Sequence, residues 1–525
     1  MNQTPISHTF RTRVATSIPH ASTLRTFFAG LLVPCGFAPI HMPGLAILGI
    51  ALFFAQLRQQ TIKQSFYTGF VFGLGFFGLG ISWIYVSIYT YGHLNPLLSA
   101  CITLMFVAYL ALFPGLVAML YQRLAIVVPT ERVEGKQLPL LFNCFLFSSL
   151  WCLGEFLRAH VLTGFPWLLL GVGQFDTPLK YLLPIIGIFG VGLITCLAAT
   201  CLATGLQTHR KKRPFWIIAL VAILISPLLL KNHAWTTSHS PDIPVSIIQA
   251  NISMRDKWDE SLFWQILQHY EHEADQLIGK KQLIIMPESA IPVPINYVSD
   301  FLTDLDERAK KGNTAILFGI PEPTSTDDLA YYNTLSTLGT AQGSYQKQHL
   351  VPFGEFIPKP FQQLSNWLAL PAANMKPGKS KQPLVSVQNH LIASLICYEV
   401  AFPQLLRQQL PIAEWIVSIS DDGWFGHSLA VYQQLQMSQV LSIQTGRYQL
   451  VANNDGLSSV INAQGDIIDS LPVSSPGILS ASIRPSTGAS PWVYLGDVPV
   501  LLASLLIVLV GLVINVLLWR RTRDM

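Results

Sequence analysis

The chain has 525 residues, of which 51% are hydrophobic and only 12% charged, with a formal net charge of +4. Ordinary soluble domains carry about twice that charged fraction, so a wholly soluble protein is disfavoured. The basic residues sit in short clusters between apolar runs, which argues for topology signals and against a nucleic-acid surface.

The apolar residues dominate 24–231 and 497–519, whereas 232–493 reads like a soluble α/β protein. The expected division is a tail at 1–23, a membrane domain with seven spans over 24–231, a catalytic domain over 232–493, a last span at 497–519 and a tail at 520–525. In chain order the apolar runs are roughly 24–40, 43–57, 66–90, 97–121, 139–153, 182–206, 214–231 and 497–519, about eight spans in all. Several are long enough for a bilayer-crossing helix of ~20 residues. The first two are short and broken by Pro34, Pro39 and Pro43, which predicts a tight helical hairpin. A cleaved signal peptide is the alternative for the first run. No Ala-x-Ala-like site follows it, however, and further spans come at once.

Eight spans put both termini on one side. Arg11, Arg13 and Arg25 precede the first run, and Arg58 and Lys63 lie between the second and third. Arg123, Arg132 and Lys136 follow the fourth, Arg210, Lys211, Lys212 and Arg213 the sixth, and Arg520, Arg521 and Arg523 the last. All of these fall on one face, and the opposite short loops hold only Arg158 and Lys180. The excess of Lys and Arg predicts cytoplasmic termini and a catalytic domain facing outward, in a bacterium the periplasm.

The soluble block alternates strand-like and helix-like segments. Strands are expected at 244–250, 282–287, 314–320, 333–339, 345–350, 391–397, 414–420, 448–453, 458–463 and 477–483, and helices at 259–278, 297–311, 403–410 and 429–446. This pattern predicts an α/β sandwich with helices outside the sheets.

Chemistry concentrates at three strand ends. Glu288 follows the apolar run in IIMPES, Lys347 lies in YQKQHLVPFGEF with Glu355 eight residues on, and Cys397 closes SLICYE. A carboxylate, an ammonium and a thiol held together suit cysteine acyl transfer. The carboxylate takes the thiol proton, the thiolate attacks a carbonyl, and the ammonium stabilises the oxyanion. Glu355 is a candidate to hold Lys347 or to serve as a second carboxylate. Tyr398 and Glu399 follow the nucleophile, as oxyanion-hole and positioning candidates. Trp258 and Trp424 are candidates for the substrate entrance. Residues 360–376, with Trp367 and Leu368, are crowded with apolar side chains and fit an interfacial lid or a packed core helix. His349 and His427 read as ordinary polar residues.

Of the seven cysteines, Cys35, Cys101, Cys144, Cys152, Cys196 and Cys201 fall in or beside apolar runs. Only Cys397 lies in the soluble block, so no disulfide is expected within it. No spacing suggests a metal, and no phosphate loop or dinucleotide motif suggests a cofactor.

The Glu after an apolar strand, K-x-x-L-V-P-F-G-E and C-Y-E-x-x-F-P together resemble the nitrilase, or carbon–nitrogen hydrolase, superfamily. That resemblance implies an αββα sandwich with a Glu-Lys-Cys triad at Glu288, Lys347 and Cys397. G-F-A-P at 36–39, G-x-x-W at 80–83, W-x-x-x-E-x-x-R with L-T-G-F-P-W within 151–167 and W-F-G at 424–426 narrow it further. They look like the bacterial apolipoprotein N-acyltransferase family. One departure is Asp421-Asp422-Gly423, where that family leads one to expect Asn-Asp. The resemblance implies a phospholipid acyl donor, a diacylglyceryl-apolipoprotein acceptor, the lipid bilayer as setting and a bacterial inner-membrane location. A membrane-tethered amidase releasing its acyl group to water is the rival enzyme. A transporter with a degenerate ectodomain is disfavoured by the intact triad and by the few ionisable residues in the spans.

Overall fold

The computed structural model describes residues 20–92, 94–126, 137–238, 241–324, 330–359, 362–363 and 374–523. The apolar runs all form helices: α1 (His20–Leu32), α2 (Pro43–Gln56), α3 (Ile62–Gly80), α4 (Pro96–Leu124), α5 (Gln137–Arg158), α6 (Leu183–Gln207) and α7 (Arg213–Ile225). Their starts follow local chemistry. Thr61 and Gln64 make a reciprocal capping box on α3, and Asn95 caps α4 just before Pro96. Small residues let α3 and α4 touch: a Cβ on Gly73 would lie 2.6 Å from the Ala111 Cα.

Among the described residues five helices are long and apolar enough to cross a membrane, and a sixth span results if Ile62–Gly80 and Trp83–Tyr91, bent by 56°, are counted as one. This is fewer than the eight expected. The helices of the first two runs are only 13 and 14 residues long, because the prolines between them stop both short of ~20 residues. The run at 66–90 reads as continuous in sequence but bends after Gly80.

The second half holds two facing sheets, besides a two-stranded ribbon of Thr236–Thr237 with Thr487–Gly488. The strands are β1 (Ile243–Gln249), β2 (Leu283–Ile285), β3 (Ala315–Pro323), β4 (Tyr331–Gly339), β5 (Ala341–Gln342), β6 (Tyr345–Gln346), β7 (Val385–Val387), β8 (His390–Ile396), β9 (Trp415–Ser420), β10 (Gln449–Asn453), β11 (Ser459–Ile461), β12 (Ile467–Ser470) and β13 (Gly477–Ile483). One sheet has the order β13-β1-β2-β3-β4-β6 and the other β12-β11-β10-β9-β8-β7-β5. The pairs β1–β2, β2–β3, β8–β9 and β9–β10 are parallel, as expected of strands buried on both faces.

Helices cover the outside. Ile284 and Ile316 point out from the first sheet into a cluster with Ile266 and Tyr270 of α8 (Phe263–Leu277) and Leu302 and Leu305 of α9 (Ser299–Lys311). Leu283, Ile285 and Leu317 point inward and share a core with Ile392, Leu395 and Val417 of the opposite sheet. On the far side α10 (Leu429–Thr445) packs Leu435 on Val451 and Ile461. Its remaining surface meets the apolar helices, so the helix is buried on nearly every face despite Gln433, Gln434, Gln436 and Gln439. A last helix, α11 (Val498–Arg523), returns to the helical half, where the Asn515 amide donates to the Leu124 carbonyl over 2.7 Å.

The expected strand at 345–350 stops at Gln346, because the Lys347 segment leaves the ladder. The short strands β5, β7 and β12 were not anticipated. The three-residue β7 pairs with β8 through a turn in which Gln388 and Asn389 have φ of 48° and 71°, the conformation that suits a tight hairpin.

Candidate active site

Three strand ends meet at one rim of the sandwich. Strand β8 ends at Ile396, and the chain turns sharply at Cys397, which has φ of 54°. That region costs a non-glycine residue energy, and it places the thiol at the apex of the turn. The side chain is buried. Burial pushes the thiol well above its ordinary pKa, and Glu288 and Asp422 add to this. The Lys347 ammonium and the Ser420 hydroxyl oppose the rise. The resting group is therefore a thiol, and its use as a nucleophile requires a base.

Glu288 follows β2, after Pro287 ends the strand. A Cβ on Gly319 would lie 2.7 Å from the Glu288 Cα, so only glycine lets β3 pass this turn. The carboxylate is held from several sides. Asn333 donates from Nδ2 to Oε1 over 2.6 Å, the Asp421 main-chain N–H donates to Oε2 over 3.0 Å, and the Lys347 ammonium lies 3.4 Å from Oε1. Lys347 is fully buried, and its Nζ also lies 2.5 Å from Glu355 Oε1. Burial alone would lower the ammonium pKa, but Glu288, Glu355 and Cys397 outweigh it and hold Lys347 well above the ordinary lysine value. Burial and Glu288 raise the Glu355 carboxyl, against the pull of Lys347. The Val351 N–H donates to Glu355 Oε2 over 2.8 Å, which fixes the loop of PFGEF around the ammonium.

Glu399 proves to be a tie between the nucleophile turn and the lysine segment. It accepts from the Ile396 N–H over 2.8 Å, from the Gln348 and His349 N–H groups over 2.7 and 3.1 Å, and from the Tyr345 hydroxyl. Burial pushes its carboxyl up to about 7 against these hydrogen bonds. Glu399→Gln replaces one acceptor oxygen with a donor among three N–H groups. It should destabilise the protein by about 2 kcal/mol and slow thioester formation, read as a lower melting temperature with a reduced acylation rate.

Tyr398 faces the helical half. Its hydroxyl lies 3.4 Å from the Gly164 carbonyl, and its ring stacks on Trp167 at 6.3 Å. That loop is itself fixed by Arg158, which donates to the Phe165 and Trp167 carbonyls over 2.8 and 2.6 Å, and by Glu155, which accepts from the Leu170 N–H. Trp258 and Trp424 are 48% and 45% exposed. The Trp424 ring lies 5.7 Å from Tyr91 of the bent span. His349 is pulled down to about 4 by burial and by Lys347, and its ring lies on Phe402. Trp367 and Leu368 lie outside the described residues, as does most of 360–376. Residues around Glu288 that the sequence did not reveal are Asn333, Lys257 and the N–H of Asp421. Their roles depend on contacts between distant segments, and no local pattern marks them.

The arrangement fits acyl transfer through a thioester. A buried thiol lies beside a carboxylate and an ammonium, at the face where the sandwich meets apolar helices. Comparison with known proteins finds matches to two parts of the chain. Residues 29–201 match the family described as apolipoprotein N-acyltransferase N-terminal domain, and 244–490 match carbon–nitrogen hydrolase. An apolipoprotein N-acyltransferase of Coxiella burnetii is 34% identical over 499 residues, covering 93% of this chain and 99% of that protein. Proteins of the same description from Methylococcus capsulatus and Nitrosomonas europaea are each 33% identical, over 90% and 94% of this chain and 92% and 96% of their own lengths.

Proposed function

The chain belongs to the apolipoprotein N-acyltransferase family, and from that premise we propose that it moves an acyl chain from a phospholipid to the α-amino group of a diacylglyceryl-cysteine at a lipoprotein N-terminus. The enzyme is an acyltransferase, and lipoprotein N-acylation is its activity. Cys397, Glu288 and Lys347 perform the chemistry. Glu288 takes the thiol proton, and Sγ attacks the ester carbonyl of the donor. The Lys347 ammonium faces the oxyanion of the tetrahedral intermediate. As the ester C–O bond breaks, Glu288 returns the proton to the leaving lysophospholipid oxygen. The acceptor amine then attacks the thioester carbonyl, Glu288 takes a proton from the nitrogen, and the C–S bond breaks to release the amide as the Cys397 sulfur takes that proton back from Glu288.

The observation that carries this reading is the contact of Tyr398, next to the nucleophile, with the Gly164–Trp167 loop of the helical half. It supports a donor delivered along apolar helices, where a lipid resides. The test supplies purified enzyme with phospholipid and a diacylglyceryl lipopeptide. An N-acylated peptide is expected. Release of free fatty acid with no acylated peptide would indicate the water-using amidase instead.

The membrane part extends over 24–231 and 497–519, with α1 and α2 as a short hairpin, and the catalytic part over 232–493. Counting that hairpin and the bent helix gives eight passes, and the basic clusters support cytoplasmic termini and a periplasmic catalytic domain in the bacterial inner membrane. A dual topology reporter fused after residue 240 should read periplasmic. Fusions after 212 and at the C-terminus should read cytoplasmic, and a cytoplasmic signal at 240 would reverse the assignment.

A further inference from the structure

Lys257 is a buried cation outside the proposed triad, its side chain having no exposure in a stretch, Met254–Lys257, that reads as a surface turn. Its ammonium donates to the Glu288 main-chain carbonyl over 2.9 Å and forms an ion pair with the Asp421 carboxylate. Asp421 in turn gives its main-chain N–H to Glu288 Oε2 over 3.0 Å. Its own carboxylate is fixed by the Gly423 N–H at 3.2 Å and by the Asn454 amide at 3.2 and 3.3 Å. Two segments far apart in sequence therefore grip one residue, the first by its carbonyl and the second by its carboxylate.

We propose that Lys257 and Asp421 are positioning residues that clamp Glu288 as the base of Cys397, and that through Lys257 the loop bearing Trp258 is tied to that base. The proposal rests on the reading of Glu288 as the base. The geometry supplies the reason for the clamp. Glu288 lies in a turn after a strand of only three residues, so the ladder alone does not fix it. The pair also settles the Asp421 departure. Here a carboxylate replaces an expected amide, and it neutralises an ammonium that makes no other ion pair among the described residues.

The test is the rate at which chloroacetamide alkylates Cys397, followed across pH by peptide mass spectrometry on the full-length protein in detergent. With the base in place, the thiol gives its proton up inside the site, and the rate depends little on bulk pH near neutrality. With the base displaced, thiolate forms only by loss of the proton to solvent, and the rate keeps climbing with pH. Lys257→Met should slow alkylation about 100-fold near pH 7, the scale of a 1 Å misplacement, and replace the plateau with a slope. Glu288→Gln should do the same.

Asp421→Asn keeps an acceptor for Lys257 and the main-chain N–H but removes the paired charge, so it should keep the plateau at a rate between those of wild type and Lys257→Met. The charges facing Glu288 are Lys347 and Lys257 against Glu355 and Asp421, with Asp422 and Asp455 beyond. A Lys257→Met profile like wild type, beside an inert Glu288→Gln, would overturn the clamp and leave the base standing. A normal profile in Glu288→Gln would overturn the base itself. Equal loss at every pH in Lys257→Met would reduce the pair to a folding contact and sink the proposal.

Discussion

Cys397→Ser should stop acyl transfer, by roughly 10⁴-fold or more, without unfolding the protein. The substitution is nearly isosteric, and serine meets the same turn, so the expected change in stability is under about 1 kcal/mol. The loss is chemical. The buried site has one carboxylate poised to take a proton, which suffices for a thiol but not for an alcohol of far higher pKa. Wild-type enzyme incubated with phospholipid alone should carry a hydroxylamine-sensitive acyl group on Cys397. The serine variant should carry none, or an ester that hydroxylamine releases far more slowly. Substantial transfer by Cys397→Ala would remove the thioester from the mechanism.

Lys347→Met should have the second largest effect, and on two quantities at once. The ammonium lies 3.4 Å from Glu288 and 2.5 Å from Glu355, and it is fully buried. Its removal leaves two buried carboxylates facing each other with no cation between them. Breaking a buried pair in this way costs about 3–5 kcal/mol. Loss of the charge facing the oxyanion costs a further factor of about 10²–10³ in rate. The two effects separate in the double variant Lys347→Met with Glu355→Gln. Removing the second carboxylate should restore much of the melting temperature, but the acylation rate should stay low. Recovery of both together would mean that Lys347 serves only the fold.

The strands and the three reactive groups were legible because each signal is local. An apolar β-branched run followed by Pro287 and Glu288, or by Cys397, marks a strand and its end within a few residues. The apolar helices were legible for the same reason, although their lengths were not. Pro34 and Pro43 shorten the first pair, and the bend after Gly80 depends on packing that composition does not reveal. Lys257 shows the limit best. A lysine between Asp256 and Trp258 has every mark of a solvated turn, and it is buried only because Asp421 and the Glu288 carbonyl close over it. Glu399 was ambiguous for a related reason. Its partners Gln348 and His349 lie some fifty residues away in sequence.

Helix α10 bears on how the protein is made. One of its sides holds the active-site rim, where Gln434 donates to Ser420 and Asp422 over 2.8 and 3.0 Å. The opposite side holds the helical half. Gln433 accepts from the Trp167 indole over 2.6 Å and donates to the Gly80 carbonyl, and Gln436 accepts from the Ala38 N–H over 3.1 Å. All three of these partners are synthesised long before residue 429. The catalytic half thus emerges from the ribosome onto a scaffold already built, and its last layer is completed by that scaffold. It is not a portable cassette. A fragment beginning near residue 241 would present a helix of unmatched amides and apolar side chains to solvent, and folding of this enzyme depends on the helices made before it.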